Sequence, residues 1–359
     1  MTATLRVVLD HAVPPSDPDA ASLALARELV VAAPRGCEVE AIVSADGAEA
    51  AASVPGIARV HRLPLKRAQF VAACALGMIP GIGGGMIHSS SLLAPLVRHD
   101  RAHENDQTVV TLWDLDALTA PERLSKQTLV WQKTMIKRAQ RHADAVVVPT
   151  HAMADVLGER TKLGDRVRVI AGAPTGAVAV ERAHEAGGGR AIVLDAERAS
   201  AEELSRMFAA LSEVVDAEVV ALVRGDDAAV RELASAAGLP EHRFREIAPA
   251  DEGARAEALA AASVFVDPAA GYAYPWRMLD ALRAGVPIVA ARSPQNIEVL
   301  ADAGVVVDAD VSAAVVDAIA SVRGDEASVR RSRVLSEDRA RAFSWRDSAD
   351  RVWQLHAEL

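Results

Sequence analysis

Histidines and acids cluster in one short segment, where side chains of these types can bind a metal ion. His99-Asp100 is followed closely by His103-Glu104. Two histidines four residues apart can ligate one zinc ion from the same face of a helix, provided that a third ligand joins them. No third ligand is in view and the segment has no clear helical pattern. We therefore interpret it as a solvated polar loop and predict no metal site.

A run of glycines offers a second kind of chemistry, because glycine lets backbone N–H groups approach a phosphate closely. The run extends from Gly81 to Gly85. A phosphate loop of a dinucleotide-binding unit follows a strand and opens a helix. Here an apolar helical stretch and Pro80 precede the glycines, and Met86 to His88 is typical of a strand. We predict a turn. The sequence also contains neither a Gly-x-Ser-x-Gly elbow nor a Walker loop.

Basic residues recur at helical spacing after Trp131. They are Lys133, Lys137, Arg138 and Arg141. Lys66 and Arg67, which precede an apolar segment beginning at Phe70, can extend the same surface. Two interpretations stay open: a basic stripe that contacts anionic lipid or an anionic acceptor, or an ordinary solvated helix face.

The elements that must position such groups are short, continuously apolar strands separated by helical stretches. In the first half we predict strands at Leu5–Leu9, Val39–Val43, Thr108–Leu112, Ala145–Val148 and Val167–Ile170, with a helix near Ala20–Ala32. In the second half we predict strands at Ala191–Leu194, Glu218–Val223, Phe244–Ile247, Val264–Val266, Ile288–Ala290 and Val305–Val307. Strands that are apolar on both faces belong in parallel sheets covered by helices. The pattern predicts two doubly wound units.

The connections complete this plan. Residues Ala171 to Arg190 are rich in Gly, Ala and Pro, which is typical of a linker. Trp345 to Leu359 has helical periodicity, with Ser344 as its N-cap. Two units of this kind leave a cleft between the carboxyl edges of their sheets, where α/β proteins bind ligands. The elements alone therefore predict a two-domain protein that binds something small.

Length and composition agree with a soluble α/β protein of two cores. The chain has 359 residues, of which 51% are apolar and 25% are charged, and its formal net charge is −10. This acidic balance argues against a general nucleic-acid binder. Cys37 and Cys74 have no disulfide or metal-binding spacing, so we predict two small buried thiols in a reducing compartment.

One segment has the composition of a membrane span. Phe70 to Ile87 carries no charge, but six glycines and prolines interrupt its second part. We predict a short apolar helix followed by a loop. The first strand is not preceded by a basic region and an apolar stretch, which argues against a secretory signal. We expect a cytoplasmic protein, with peripheral contact at the inner face of the cell membrane as an option.

The second half of the sequence resembles the group-1 glycosyltransferases, retaining enzymes of the GT-B class. Val264-Phe265-Val266-Asp267-Pro268 resembles their strand ending in Pro-Ser, and Leu279 to Ala290 resembles their Leu-Glu-Ala-Met-Ala-x-Gly-x-Pro-Val-Val-Ala. Glu298-Val299-Leu300 and Ala303 to Val307 fit the next segment. Phe343-Ser344-Trp345 fits the start of their C-terminal helix, which crosses back to the first domain.

The first half carries matching motifs in the same order. Val109 to Leu115 resembles Val-Val-Thr-Ile-His-Asp-Leu, and Arg141 to Thr150 resembles Ala-Asp-x-Val-Ile-x-x-Ser. The resemblance implies a GT-B fold, in which two Rossmann-like domains face each other across a cleft. The implied domains are 1–172 on the acceptor side and 173–342 on the nucleotide-sugar side, and residues 343–359 form the returning helix.

The resemblance implies a set of site positions, because a retaining transfer must stabilise a departing nucleotide diphosphate and a sugar with developing positive charge. The family's glycine turn after the first strand corresponds to His11 to Asp19, which contains prolines and aspartates and no glycine. Its catalytic-site His-Asp corresponds to Trp113 and Asp114. Tryptophan can stack on a sugar but cannot shuttle a proton.

The donor-binding positions are altered as well. The family's Arg/Lys pair corresponds to the segment from Asp195 to Glu202, in which Arg198 is the only cation. Without a gap the two basic positions fall on Ala201 and Glu202, and the loss of two charge-assisted bonds forfeits roughly 1.5–3 kcal/mol each. Of two family glutamates seven residues apart, the first corresponds to Tyr272 and the second to Asp280, while Pro275 replaces a glycine. The resemblance implies donor binding by Arg198 and Asp280.

Two functions remain open from the sequence. The first is a transferase that moves a sugar from a nucleotide sugar to a cell-envelope glycan or lipid-linked acceptor, through a degenerate donor site and with no metal or other cofactor. The second is a noncatalytic paralogue that serves as a partner or scaffold subunit for an active glycosyltransferase.

Overall fold

A computed structural model gives the fold. It describes residues 3–9, 16–78, 82, 84–99, 106–175, 191–214, 217–225, 228–248 and 252–359. The chain divides into two compact units, which are described separately. Unit 1 comprises Met1–Ala173 together with Ser344–Leu359, and unit 2 comprises Pro174–Phe343.

Unit 1 is built on a parallel sheet. Its strands are β1 (Ala3–Val8), β2 (Cys37–Val43), β3 (Arg59–Arg62), β4 (Met86–Ser89), β5 (Gln107–Thr111), β6 (Ala145–Val148) and β7 (Val167–Val169). Its helices before the linker are α1 (Asp17–Val31), α2 (Ala48–Ala52), α3 (Arg67–Leu76), α4 (Asp116–Thr119), α5 (Lys126–His142) and α6 (His151–Arg160). The strand order is β3-β2-β1-β4-β5-β6-β7.

Unit 2 repeats this architecture. Its strands are β8 (Ala191–Asp195), β9 (Val219–Leu222), β10 (Phe244–Ile247), β11 (Ala262–Asp267), β12 (Ile288–Ala291) and β13 (Val305–Val307). Its helices are α7 (Ala201–Ser212), α8 (Ala228–Ala236), α9 (Glu252–Ala260), α10 (Trp276–Arg283), α11 (Pro294–Leu300), α12 (Ser312–Arg323) and α13 (Glu326–Ala340). The strand order is β10-β9-β8-β11-β12-β13, and every pairing is parallel. The predicted α/β class with two Rossmann-like units is confirmed.

The last helix, α14 (Trp345–Glu358), belongs to unit 1. The predicted N-cap is confirmed, since the Ser344 side chain accepts a hydrogen bond from the amide of Asp347 at 3.4 Å. The helix packs on α1, where the Trp353 indole donates to the carbonyl of Leu29 at 3.0 Å. Because Val352, Trp353 and Leu355 are buried in the unit-1 core, the returning helix is part of that core.

Every strand that we predicted is present in the structure. The predicted bounds of β6, β10 and β13 match the structure, and those of the other predicted strands differ by one or two residues at either end. We did not predict β3. It is an edge strand of sequence Arg-Val-His-Arg, three of whose four residues are exposed, so it carries no continuous apolar run.

The apolar segment that resembles a membrane span is a short helix, as predicted. Helix α3 ends at Leu76, and Gly77 closes it in the left-handed conformation at φ 74°. Among the helices in the described ranges, none is both long enough and apolar enough to cross a bilayer. Both cysteines are free thiols, but the prediction of two buried thiols holds only for Cys74. Cys37 is half-buried because it begins β2 at the end of the sheet.

Candidate functional site

The carboxyl edge of the unit-2 sheet brings together the residues best suited to bind a ligand. Strands β8 and β11 lie side by side and end in Asp195 and Asp267. The strand order changes direction between them, which is the point at which open α/β sheets bind ligands. Chain segments leaving the two strands in opposite directions open a crevice there, so this edge is the natural place for a site within unit 2.

Three buried charged side chains meet at this edge, and we call Asp195, Arg198 and Asp267 the strand-end cluster. The Arg198 guanidinium donates to the Asp267 carboxylate at 2.5 Å and lies 3.6 Å from that of Asp195. Both aspartates are fully buried and the Arg198 side chain is 6% exposed. The charge of the predicted donor-binding cation is therefore compensated by its own chain.

The electrostatics of the cluster follow from two acids sharing one cation. Burial raises the pKa of Asp267 to about 6, against the attraction of Arg198 and with a further contribution from Asp195. Burial opposes the charge of Arg198 too, but Asp267 and Asp195 outweigh it and raise the pKa of the guanidinium. Asp267 thus titrates near neutral pH while Arg198 stays charged.

The loop from Gly271 to Pro275 is fixed onto this cluster. The carbonyl of Ala273 accepts hydrogen bonds from Arg198 and, at 2.5 Å, from the side-chain amide of Gln295. The buried Tyr274 ring packs edge-to-face on Trp276, with 4.8 Å between ring centroids. The neighbouring Tyr272, which stands where the family has its first glutamate, is half-buried. Arg198 thus holds this loop in place in addition to neutralising the buried carboxylates of Asp195 and Asp267.

A second group of paired charges surrounds Asp280, and we call it the helix cluster. Its members are Glu197, Arg255, Arg277, Asp280 and Arg283. Arg277 donates to the Asp280 carboxylate at 2.7 Å and lies 3.5 Å from Glu197, which also pairs with Arg255. Arg283 lies 3.8 Å from Asp280 on the other side and is 28% exposed. The predicted donor-binding carboxylate is therefore buried and already paired with a cation.

The structure brings Arg198, the Tyr272 loop and Asp280 to one edge of one sheet, through partners that we did not predict. The unpredicted partners are Glu197, Arg255, Arg277, Gln295 and Asn296. Asn296, at the start of α11, donates to the carbonyls of Ala269 and Ala291, each at 2.9 Å. Two amide side chains directly after β12, at the carboxyl edge of a buried sheet, were a signal that sequence reasoning could have used.

The predicted catalytic-site positions of unit 1 lie after β5. Trp113 is 7% exposed, and its indole donates to the carbonyl of Ser90 at 2.7 Å. Its ring packs edge-to-face on Trp345 of α14, with 6.4 Å between centroids. Asp114 is half-buried and accepts a hydrogen bond from the amide of Asp116 at 3.3 Å. Trp113 here joins the end of β5 to the returning helix.

Part of the glycine run predicted as a turn is described, and its polar groups are paired within the chain. The amide of Gly85 donates to the Asp106 carboxylate at 2.6 Å. Arg6 donates to the carbonyls of Ile82 and Gly84 at 2.9 and 2.7 Å. Gly81 and Gly83 lie outside the described residues. The amide of Gly85, which a bound phosphate would need as a donor, is thus already hydrogen-bonded to the Asp106 carboxylate.

The remaining predicted features fall partly outside the described residues. His99 lies 3.0 Å from the Asp144 carboxylate, and Asp100, His103 and Glu104 are not described. The described ranges contain no group of three or more histidines, cysteines or acids able to hold a metal ion. Residues 10–15 of the altered first loop and 176–190 of the predicted linker are likewise outside them.

Comparisons with known proteins identify the architecture. Residues 191–325 match the family model described as glycosyl transferases group 1, which bears out the resemblance over most of unit 2. No curated protein matches the chain. A sucrose-phosphate synthase from Thermosynechococcus elongatus shares its fold at 18% identity and a TM-score of 0.70, covering 99% of this chain and 98% of that one.

Two further solved structures have a similar fold. HepE from Anabaena, solved in complex with UDP and glucose, is 14% identical with a TM-score of 0.71, and each chain is covered in full. A glycosyltransferase from Rickettsia africae is 13% identical with a TM-score of 0.63, covering 99% of this chain and 98% of the other. These likenesses confirm the predicted GT-B class of fold.

Proposed function

We propose that this chain, whose residues 191–325 match the group-1 glycosyltransferase model, is a glycosyltransferase that binds a nucleotide sugar at the carboxyl edge of the unit-2 sheet. The observation that carries the proposal is the convergence of Arg198, the Gly271–Pro275 loop and Asp280 at that edge. Anabaena HepE, a neighbour in fold, was solved with UDP-glucose, which supports a donor of this class. The chain then acts in the cytoplasm on a cell-envelope glycan or a lipid-linked acceptor.

The reaction we propose exchanges one bond at the anomeric carbon of the sugar. The bond from this carbon to the diphosphate oxygen breaks and a bond to an acceptor hydroxyl forms. The hydroxyl proton leaves with the nucleoside diphosphate. No metal or other cofactor is assigned to the step. Stabilisation of the departing diphosphate requires positive charge, and Arg277 and Arg283 are the further cations beside Asp280.

The internal pairing of the site predicts weak donor binding. A diphosphate can recruit Arg198 only by competing with Asp267 and Asp195, and both of these carboxylates repel it. A hydrogen bond to a charged group contributes about 1.5–3 kcal/mol, so the loss of one such contact weakens binding by roughly 10- to 100-fold. We therefore expect a donor affinity well below that of a site with unpaired cations.

The same pairing favours a second function, that of a noncatalytic partner subunit. If Arg198 and Asp280 only hold unit 2 together, the chain keeps the fold of the family without its donor site. It then acts by binding an active glycosyltransferase paralogue. This candidate rests on the buried, paired state of both predicted donor-binding residues.

Calorimetric titration distinguishes the two functions. The ligands are UDP, UDP-glucose, UDP-N-acetylglucosamine and GDP-mannose. The test variant is Asp280→Asn, which removes the charge and keeps the shape of the buried side chain. The matched control is Asp317→Asn, an exposed acid on α12.

The proposal expects saturable binding of at least one nucleotide sugar, weakened at least tenfold by Asp280→Asn and unchanged by Asp317→Asn. Release of the nucleoside diphosphate on addition of a membrane extract then reports transfer. Absence of heat with every ligand, together with stable co-purification of an active family member, would reject the transferase and establish the partner subunit.

A further inference from the structure

Helix α5 exposes a row of basic residues on one face. The basic row consists of the exposed residues Lys126, Lys133, Lys137 and Arg141, and the exposed Val130 lies on the same face. At 100° per residue they fall within an arc of about 80°, and at 1.5 Å per residue the row is about 22 Å long. In the described part of the chain, none of its four cations has an ion-pair partner. Among the described residues, the row is thus a strip of positive charge with which no acid of the chain forms an ion pair.

The segments that contain α5 and its neighbour α3 have no acidic residue, whereas α4, which also packs on α5, begins with Asp116. Neither residues 123–143, which include α5, nor residues 50–99, which include α3, contain an aspartate or glutamate. The whole chain has a formal charge of −10. Acidic residues are therefore abundant elsewhere in the chain but absent from these two neighbouring segments. Positive charge is concentrated in this part of unit 1 as a result.

Exposed apolar side chains lie beside the row. Helix α3 packs on α5, and the guanidinium of Arg138 lies over Gly77, where a Cβ atom would come within 2.2 Å of it. This contact holds the end of α3 against the flank of α5. The two residues on either side of Gly77 are Leu76, which is 68% exposed, and Met78, which is 58% exposed; Val130, on the same face as the row, is 66% exposed.

Arg138 differs from the prediction that grouped it with the other basic residues. It is half-buried and donates to the carbonyl of Leu96. Its position about 100° around the helix from the centre of the row explains the difference. Arg138 joins α3 to α5, and the row itself consists of the other four cations.

We infer that the basic row of α5, with Leu76, Met78 and Val130 beside it, binds the surface of an anionic lipid bilayer. Lysine and arginine side chains pair with lipid phosphates, and the exposed apolar side chains enter the interface between headgroups and acyl chains. A soluble polyanion would pair with the cations but would leave the apolar residues in water. The combination of both therefore favours lipid over nucleic acid.

This inference goes beyond the proposed function, because the surface lies on helices of unit 1 and does not use the donor residues of unit 2. Membrane binding therefore succeeds or fails independently of nucleotide-sugar binding. The two proposals have separate readouts, vesicle flotation for this one and titration calorimetry for the other.

Vesicle flotation of the full chain tests the inference. The vesicles are pure phosphatidylcholine, or phosphatidylcholine with 30% phosphatidylglycerol, each at 50 and 500 mM NaCl. The test variant is Lys133→Gln/Lys137→Gln/Arg141→Gln. The matched control is Arg330→Gln/Arg331→Gln/Arg341→Gln, which removes three exposed cations on and just after α13 of unit 2. Circular dichroism and melting temperature confirm that each variant is folded.

We expect binding to the anionic vesicles at 50 mM NaCl, loss of binding at 500 mM NaCl and none to pure phosphatidylcholine. The α5 triple variant should lower the partition coefficient by roughly 100-fold, since each basic residue near an anionic surface contributes about a factor of five. The α13 triple variant should change it less than threefold. Leu76→Ser/Met78→Ser, which keeps every charge, should lower it by roughly tenfold.

Three results would overturn the inference. The first is no binding to anionic vesicles at 50 mM NaCl. The second is an equal loss in both triple variants, which would trace binding to net charge alone. The third is binding of soluble polyglutamate or heparin through the same residues without vesicle binding, which would identify a polyanion site.

Discussion

His88 and His356 are 268 positions apart in the chain and meet in the core of unit 1, where Nδ1 of His88 lies 3.4 Å from Nε2 of His356. Their rings are edge-to-face, and Nδ1 of His356 lies 2.9 Å from the Gln107 side-chain oxygen. In the neutral pair His356 donates to Gln107 and His88 donates to His356. This chain of bonds joins α14 to β4 and β5.

Acid should destabilise unit 1 through this pair. Burial lowers the pKa of His88 to about 4, and burial together with His88 holds the pKa of His356 well below its usual value. Both histidines therefore bind protons more readily when unfolded, near pH 6.5. Their stabilising effect is complete above that pH and is lost as the pH falls towards 4. We expect a loss on the order of 3 kcal/mol from this window.

Urea unfolding followed by tryptophan fluorescence measures this loss, because four of the five tryptophans lie in unit 1. The double variant His88→Asn/His356→Gln should have a much shallower pH dependence between pH 7 and 4. His151→Gln, an exposed histidine on α6, is the matched control and should keep the wild-type slope. An unchanged slope in the double variant would contradict the assignment.

The strand-end cluster predicts the opposite pH dependence for unit 2. Because the pKa of Asp267 is raised to about 6 in the folded state, the folded protein binds a proton more readily than the unfolded one between about pH 4 and 6. The contribution of Asp267 to stability therefore decreases as the pH rises through this window. Asp267→Asn should gain stability relative to the wild type as the pH rises from 4 to 7. Hydrogen exchange of unit-2 amides at both pH values checks the sign.

Removal of Arg198 should destabilise unit 2 strongly. Arg198→Met leaves Asp195 and Asp267 buried without their cation, and breaking a buried pair in this way costs about 3–5 kcal/mol. The triple variant that adds Asp195→Asn and Asp267→Asn should recover most of this loss, because no buried charge then remains unpaired. Equal melting temperatures for Arg198→Met and the wild type would show that the pair contributes little.

The backbone conformation of Ala301 predicts that its replacement by glycine stabilises the protein. This residue ends α11 at φ 51° and ψ −111°, a conformation that costs an L-amino acid about 1–3 kcal/mol and glycine much less. Ala301→Gly should raise the free energy of unfolding by about 1 kcal/mol after the added entropy of the unfolded chain. Ala320→Gly, at an exposed position inside α12, should lower it by about the same amount. Differential scanning calorimetry of both variants tests this difference in sign.

The fold could be predicted further than the site. Strands such as Ala145–Val148 and Val305–Val307 can be recognised in the sequence because they are continuous apolar runs. Strand β3 is an exposed edge strand and has no such run. Asp280 was found because it stands at the position of a family glutamate, and Arg198 because it is the only cation in the segment that corresponds to the family's Arg/Lys pair. Their partners Asp267 and Arg277 set their charge state, and those contacts depend on how strand ends and helices pack, which no local pattern records.

The return of α14 to unit 1 has a consequence for the order of folding during synthesis on the ribosome. Leu29 emerges long before its partner, because the indole that binds its carbonyl, Trp353, is translated 324 positions later. All the residues of unit 2 emerge in between. Unit 2 can therefore complete its core first, while the face of α1 on which α14 packs stays open to water or to a chaperone until α14 leaves the exit tunnel.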